Sequence, residues 1–150
     1  MSGENVTKNL PKKRMETRQN MVNKEAVFSS GGPAAGAPYT PAVRVGDLLF
    51  VSGQLGLDPE TKKPYEDFDK QVEGVFASLR ALLEAAGGSL SSVVKTTVFL
   101  TDMAQFARLN EIYARQFPEG EVKPARSTFQ VAGLPLGAAV EIEAIAYLGK

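Results

Sequence analysis

The order of apolar patterns along the chain is the feature that most constrains the fold. A strong helical pattern runs from Phe68 to Leu83, with Asp67 as its N-cap and Gly87-Gly88 as its stop signal. A run rich in Val and Thr follows at 93–100 and has the composition of a strand. A helix that joins two strands in this way predicts a crossover connection within a sheet.

Shorter patterns complete the predicted order of elements. Gly46-Asp47 separates two strand-like runs, 42–45 and 48–51, and predicts a hairpin. Asp102 and Gln105 resemble a capping box, and the helical face that follows continues to Pro118. The remaining predicted segments are a strand at 26–28, a Gly/Pro/Ala loop at 31–39, a surface turn at 58–61, a strand at 126–131, a turn at 133–137 and a strand at 139–148. The sequence therefore predicts an α+β fold, with a mixed six-stranded sheet and both helices on one face.

The last predicted strand is apolar on both of its faces. Val140, Ile142, Ala144 and Ala146 alternate with a second set that includes Ile145 and Tyr147. Two helices cover only one face of a sheet, so we expect another subunit to bury part of the other face. The pattern therefore predicts a homo-oligomer.

The composition limits the chemistry that is open to the chain. There is no cysteine and no histidine, which excludes disulfides, thiolate nucleophiles and the commonest general base and metal ligand. Catalysis must then rest on carboxylates, Arg, Lys, Tyr, hydroxyls, backbone groups or a cofactor.

The formal net charge of zero hides an uneven distribution of charge. Residues 1–24 hold six basic and two acidic side chains, whereas residues 25–150 hold 11 basic and 15 acidic ones. We expect a disordered basic extension at 1–24 and one domain at 25–150, whose acidic balance disfavours nucleic acid as a partner. The sequence shows neither a membrane span nor a secretory signal, so we expect no membrane partner and a cytoplasmic protein; organelle targeting by the extension stays open.

Two charged positions are candidates for chemistry. Arg126 begins a predicted strand, and its planar guanidinium matches a carboxylate or phosphate with two parallel hydrogen bonds; an ordinary salt-bridging arginine is the alternative. Glu141 and Glu143 project from one face of the last strand, either as a solvated face or to place a carboxylate that positions or deprotonates a water. The turn at 133–137 predicts that the strands of Arg126 and Glu141 lie side by side.

Polar groups elsewhere give weaker signals. Tyr39 lies in a Gly/Pro-rich loop, where its ring either meets a ligand or covers the core. Ser52-Gly53 ends a strand, where backbone groups become free for a ligand, and Asn110 neighbours the apolar stripe of the second helix. Lys95 lies in mid-strand, and nothing around it supports a Schiff-base cofactor site.

Four segments in consistent order closely resemble the RidA (YjgF) family, which is also described as endoribonuclease L-PSP. They are LLFVSGQLGLDPET (48–61), AAGGSLSSVVKTTVFLTDM (85–103), FARLNEIY (106–113) and PARSTFQVAGLPLGAAVEIEAIA (124–146). The resemblance covers 26–148 and implies a chorismate-mutase-like homotrimer with clefts between subunits. It also implies a cofactor-independent deaminase that hydrolyses 2-imino and 2-enamino acids, such as 2-aminoacrylate, to 2-ketoacids and ammonia.

The resemblance implies a role for each candidate residue. Arg126 would pair with the substrate carboxylate, and Glu141 would position the attacking water or shuttle its proton. The substrate-binding residues would be Tyr39, Ser52, Gly53, Asn110 and Thr128, with no metal and no cofactor.

The chain departs from the family pattern at two places. Many members have cysteine where this chain has Thr128, and the loop at 36–41 differs from the usual Ile-Gly-Pro-Tyr-Ser-Gln. Two alternatives to a deaminase stay open: an endoribonuclease that inhibits translation, and a non-catalytic trimer that binds small ligands or acts like a chaperone.

Overall fold

The computed structural model describes residues 22–30 and 36–149. The strands are β1 (Glu25–Val27), β2 (Ala42–Val45), β3 (Leu48–Gln54), β4 (Val93–Leu100), β5 (Ala125–Gln130) and β6 (Val140–Tyr147), and the helices are α1 (Phe68–Ala85) and α2 (Phe106–Gln116). This is the predicted order, with small shifts at the ends of elements. The basic extension expected at 1–24 lies, up to residue 21, outside the described residues, as does 31–35 of the predicted loop.

The six strands form one sheet in the order β1-β2-β3-β6-β4-β5. β4 and β5 run parallel, while the other neighbours are antiparallel, so the predicted mixed sheet is confirmed. The predicted hairpin joins β2 to β3, and Gly46 adopts a positive φ of 58° in its turn, as tight hairpin turns require.

The helix boundaries follow local capping chemistry. Asp67 accepts a hydrogen bond of 3.1 Å from the Lys70 amide at the start of α1, and Gly87 follows its end with a φ of 87°. Asp102 caps a 3₁₀ turn at Met103–Gln105 by accepting from the Ala104 amide, and α2 begins only after that turn. The predicted capping box therefore starts the 3₁₀ turn rather than the α-helix.

Both helices pack on one face of the sheet, as predicted. β6 shows this directly, because Val140, Ile142, Ala144 and Ala146 are at most 3% exposed and lie in the core with the helices. The other face of the sheet, called the open face below, carries apolar side chains that are 41–53% exposed: Leu48, Phe50, Phe129 and Tyr147. The described residues of a single chain thus leave this face of the sheet without a covering layer.

The predicted adjacency of the Arg126 and Glu141 strands is wrong. β4 lies between β5 and β6, and Thr96 of β4 pairs with Arg126 on one side and with Ala144 on the other. The parallel crossover through α2 places β5 at the outer edge of the sheet. The segment that joins β5 to β6 then passes the end of β4. There the Val131 amide donates a hydrogen bond to the Leu100 carbonyl, and the Thr101 amide donates one to the Ala139 carbonyl.

No helix among the described residues has the length and apolar character that a membrane span needs.

Candidate active site

Arg126 lies on β5 with its side chain against α2. Its guanidinium carbon is 4.8 Å from the ring centre of Tyr113 and 5.6 Å from that of Phe106. The ion pairs of the described residues involve Arg44 and Arg108, and the arginine side-chain hydrogen bonds come from Arg44, Arg80 and Arg108. Within the described chain, Arg126 is therefore not the ordinary salt-bridging arginine, and its N–H groups have no hydrogen-bond partner among the described residues.

Asn110 and Thr128 join Arg126 on this side of the sheet. Thr128 lies two residues along β5 and so faces the same way, while Asn110 is four residues after Phe106 and three before Tyr113 on α2. The Asn110 Oδ1 and Thr128 Oγ1 atoms are buried and have no hydrogen-bond partner among the described residues. A buried polar atom without a partner costs about 1–3 kcal/mol, so both oxygens are candidates to bind a ligand or an ordered water. We call Arg126, Asn110 and Thr128 the arginine group.

Glu141 lies on the open face, over the backbone of Gly53. A Cβ atom at Gly53 would overlap a carboxylate oxygen of Glu141, so the missing side chain makes the space for that carboxylate. The register between β3 and β6 shifts between Val51 and Gln54, which marks a β-bulge at Ser52-Gly53. Bulges leave backbone groups outside the ladder and are common beside active sites.

Ser52 ties the loop that carries Tyr39 to the end of β3. Its hydroxyl donates a hydrogen bond of 2.7 Å to the Thr40 carbonyl, and its amide donates to the Pro41 carbonyl at 2.9 Å. Tyr39 itself is 58% exposed, so in the single chain its ring does not cover the core. We call Glu141, Gly53, Ser52 and Tyr39 the glutamate group.

The electrostatics of Glu141 suit a proton acceptor. Partial burial raises the pKa of Glu141 above its ordinary value, and the neighbouring charge of Glu143 raises it further. Glu141 and Glu143 both alternate with the buried residues of β6, which confirms the predicted projection of the two carboxylates from one face. A carboxylate with a raised pKa is a stronger base toward water than an ordinary surface glutamate.

The two groups do not meet within one chain. Arg126 packs against α2 on the helix face, whereas Glu141 alternates with Val140 and Ile142, which are fully buried in that face, and so points to the open face. One strand, β4, also separates them. A site that contains both groups therefore needs two copies of the chain.

Lys95 lies on the open face beside a separate hollow. Its ammonium group donates a hydrogen bond of 3.1 Å to the Ser127 hydroxyl. The hollow, of about 170 Å³, is lined by Phe50, Val51, Lys95, Thr97, Glu143, Ala144 and Ile145, and by none of the predicted site residues. Among the described residues, no three His, Cys, Asp or Glu side chains gather closely enough to hold a metal ion.

Sequence analysis does not identify two neighbours of Arg126, Phe106 and Tyr113, as site residues, because both belong to the apolar face of the second helix. Phe106 and Tyr113 lie seven residues apart, which places them on the same side of α2 two turns apart. Two aromatic rings at that spacing are the one sequence signal for a cation held between them, and such spacing is more often plain core packing.

Comparisons with known proteins identify the family to which the chain is similar. Residues 30–148 match the profile of the family described as endoribonuclease L-PSP. The chain is 50% identical over 128 residues to chloroplastic Reactive Intermediate Deaminase A of Arabidopsis thaliana, covering 85% of this chain and 67% of the relative. It is 42% identical over 129 residues to the 2-iminobutanoate/2-iminopropanoate deaminase of Mus musculus, covering 85% and 94%.

A solved structure shows the same fold. The crystal structure of RidA from an Antarctic Psychrobacter species superposes with a TM-score of 0.75 at 48% sequence identity. The match covers 82% of this chain and 98% of that protein.

Proposed function

The chain belongs to the RidA (YjgF) family, also described as endoribonuclease L-PSP, and from that membership we propose that it is a reactive-intermediate deaminase. Its substrates are 2-imino and 2-enamino acids, such as 2-aminoacrylate. It hydrolyses them to 2-ketoacids and ammonia. Relatives named as deaminases at 42–50% identity support this assignment.

The packing of the Arg126 guanidinium against aromatic rings is the observation that carries the proposal. Its guanidinium rests on ring faces, so the N–H groups at its edge stay available to hold a substrate carboxylate through two parallel hydrogen bonds. Every 2-imino and 2-enamino acid bears that carboxylate next to the reacting carbon. Binding it fixes the position of the C=N bond in the cleft.

Glu141 activates the water in this proposal. The substrate reacts as the imine; an enamine first takes a proton at C3 and loses one from its nitrogen. Water adds to C2 and gives one proton to Glu141, which passes it to the imine nitrogen, so that a carbinolamine forms. The hydroxyl proton of the carbinolamine then moves by way of Glu141 to the amine nitrogen, and the C–N bond breaks as the C=O bond forms, which gives the ketoacid and ammonia. The imine carbon is already electrophilic, so an oriented water and a base suffice, and we propose that no cofactor or metal takes part.

We propose that the site forms between subunits of a homotrimer. The arginine group lies at the edge strand of one copy, and the glutamate group lies on the open face of the next. A head-to-tail contact of two different surfaces closes into a ring. The exposed apolar side chains of the open face favour such a cover.

The test supplies 2-aminoacrylate from a dehydratase that acts on serine and follows the release of pyruvate. We expect faster release than the spontaneous rate, and a loss of about thirtyfold or more in kcat/KM for Arg126→Ala, because removing one partner of a charged pair costs roughly 2–5 kcal/mol. Arg80→Ala is the control: it removes an exposed arginine that bonds Gln116 instead. Release at the spontaneous rate, or equal activity of Arg126→Ala and wild type, would contradict the proposal.

The family description supports one alternative, an endoribonuclease. The 15 acidic and 11 basic side chains of 25–150 disfavour RNA, whereas the basic extension favours contact with phosphates. RNA cleavage by the full chain that disappears when residues 1–24 are deleted would support this alternative.

For the compartment we keep the cytoplasm as the proposal. The Arabidopsis relative is named chloroplastic, so the extension needs its own test. A fluorescent protein that carries residues 1–24 at its N-terminus should stay in the cytoplasm; its accumulation in an organelle would reverse this assignment.

A further inference from the structure

The Arg126 guanidinium lies over two aromatic rings of α2, those of Phe106 and Tyr113. The two residues are seven positions apart, and seven residues of helix span about 10.5 Å. The distances from the guanidinium carbon to the two ring centres, 5.6 and 4.8 Å, fit that gap. A planar cation in such a gap gains cation–π attraction from ring faces without using its N–H donors.

The Tyr113 ring is itself fixed from several sides. Its side chain is 7% exposed, and its hydroxyl shares a hydrogen bond of 2.7 Å with Thr96 on β4. Its ring also meets Phe76 edge-on at 5.6 Å and Phe117 at 5.0 Å between centres. Thr96 pairs in register with Arg126, so the same strand pair that places the arginine also places the ring.

The charges around Tyr113 are consistent with this packing. Burial raises the pKa of the Tyr113 hydroxyl, while the Thr96 hydrogen bond and the nearby charge of Arg126 lower it to a smaller extent. Tyr113 therefore stays neutral near pH 7, and its contact with the guanidinium is a cation–π contact rather than an ion pair.

We infer that Tyr113 and Phe106 are positioning residues that hold the Arg126 guanidinium edge-on toward the cleft. Their rings fix the plane of the fork before substrate arrives, so that both parallel hydrogen bonds to the carboxylate form without loss of side-chain freedom. Neither residue touches the reacting atoms. This inference rests on the proposed role of Arg126 as the carboxylate receptor.

The kinetic test compares three single variants by KM and kcat. Tyr113→Leu should raise KM about tenfold and change kcat far less, because a desolvated cation–π contact is lost. Tyr113→Phe keeps the ring, so its KM should stay within about twofold of wild type. Phe117→Leu is the matched control: it removes a ring that packs on Tyr113 and Phe76, whereas the Thr96 hydrogen bond and Phe76 still hold Tyr113 in place. It should therefore lower stability and leave KM within about twofold of wild type.

A spectroscopic test does not depend on activity. In the ¹H–¹⁵N spectrum, ring currents should shift the Arg126 Nε–H signal upfield, and Arg126→Lys identifies that signal by removing it. Tyr113→Leu should move the signal downfield, while Phe117→Leu should not. If wild type releases no ketoacid but this pattern holds, the proposed function fails and the positioning geometry stands.

Three results would overturn the inference. The first is an unchanged KM in folded Tyr113→Leu, and the second is a rise in KM for Phe117→Leu as large as that for Tyr113→Leu. The third is an Arg126 Nε–H signal that does not move when the Tyr113 ring is removed.

Discussion

At the scale of single residues, the glutamate group depends on an absent side chain. Gly53 gives the Glu141 carboxylate the space that it occupies over the β3 bulge. The atom that a Cβ would displace is the end of a flexible side chain, so the protein can adjust at little cost to its stability. The position of the carboxylate cannot be kept.

Gly53→Ala is therefore predicted to separate activity from stability. We expect a drop of about tenfold to a hundredfold in kcat/KM, because a shift of about 1 Å in a catalytic group costs that much. The free energy of unfolding should change by less than about 1 kcal/mol. Denaturant unfolding and pyruvate release, measured on one preparation, check both parts; full activity would remove Gly53 from the site.

The pKa of Glu141 predicts a pH effect with a definite sign. Glu141 accepts a proton only when ionised, so kcat/KM should fall as the pH drops through its raised pKa. Glu143 contributes to that rise, and Glu143→Gln should move this acid limb to lower pH. A limb that stays in place or moves to higher pH would show that Glu141 is not the base.

The same pKa makes Glu141 costly to the fold at neutral pH. Its folded-state pKa lies above the unfolded value, so the folded state gains stability from this group as the pH falls through the raised pKa and loses it as the pH rises. Glu141→Gln should therefore raise Tm slightly at neutral pH and abolish activity. Below pH 4.5, the ordinary glutamate value, the gain in Tm should vanish because both side chains are then neutral.

At the scale of elements, a close backbone contact joins α1 to the loop after β3. A Cβ at buried Gly56 would overlap the backbone of Gln71. Gln71 also bonds the Tyr65 carbonyl at 2.6 Å and the Ala139 amide at 2.9 Å, and so links α1 to the start of β6. This crossing fixes where β6, and with it Glu141, begins.

Gly56→Ala is predicted to destabilise the protein by about 3 kcal/mol or more, because backbone rather than a flexible side chain must move. Gly133→Ala is the matched control, since no atom lies within 4 Å of its Cβ position, and it should stay within about 0.5 kcal/mol. Urea unfolding of the two variants beside wild type measures the difference. Equal stability of the two variants would show that the contact between Gly56 and the Gln71 backbone can adjust without cost.

The sequence predicts the helices and strands themselves better than it predicts which strands lie side by side in the sheet. Asp67, Gly46 and the apolar spacing of α1 act through local chemistry, so the order of helices and strands and the one-sided helix layer follow from them. The position of β4 between β5 and β6 depends on contacts far apart in sequence, and a turn at 133–137 carries no information about them. The same limit hid the separation of Arg126 from Glu141.

Only part of the candidate site can be predicted from the sequence. The fork geometry of Arg126 and the alternation at Glu141 identify both as candidates, and the family resemblance assigns their roles. The rings that hold Arg126 have the spacing of ordinary core residues, so their contact with the cation emerges only from the packing of α2 on β5.

At the scale of the whole molecule, one chain presents two incomplete halves of a site. The arginine group faces α2 at the sheet edge, and the glutamate group faces the uncovered side of the sheet. Assembly would then serve two purposes, since it buries apolar surface and completes the site. In the proposed assembly, each copy would supply its arginine group to one cleft and its glutamate group to another.

Mixing two inactive variants tests this account most directly. Arg126→Ala and Glu141→Gln trimers are each expected to lack activity, and exchange of their subunits in equal amounts should create clefts with an intact arginine from one copy and an intact glutamate from another. Random exchange in a ring of identical contacts predicts recovery of about a quarter of wild-type activity. No recovery after exchange, verified by mass spectrometry of mixed trimers, would contradict a site shared between copies of the chain.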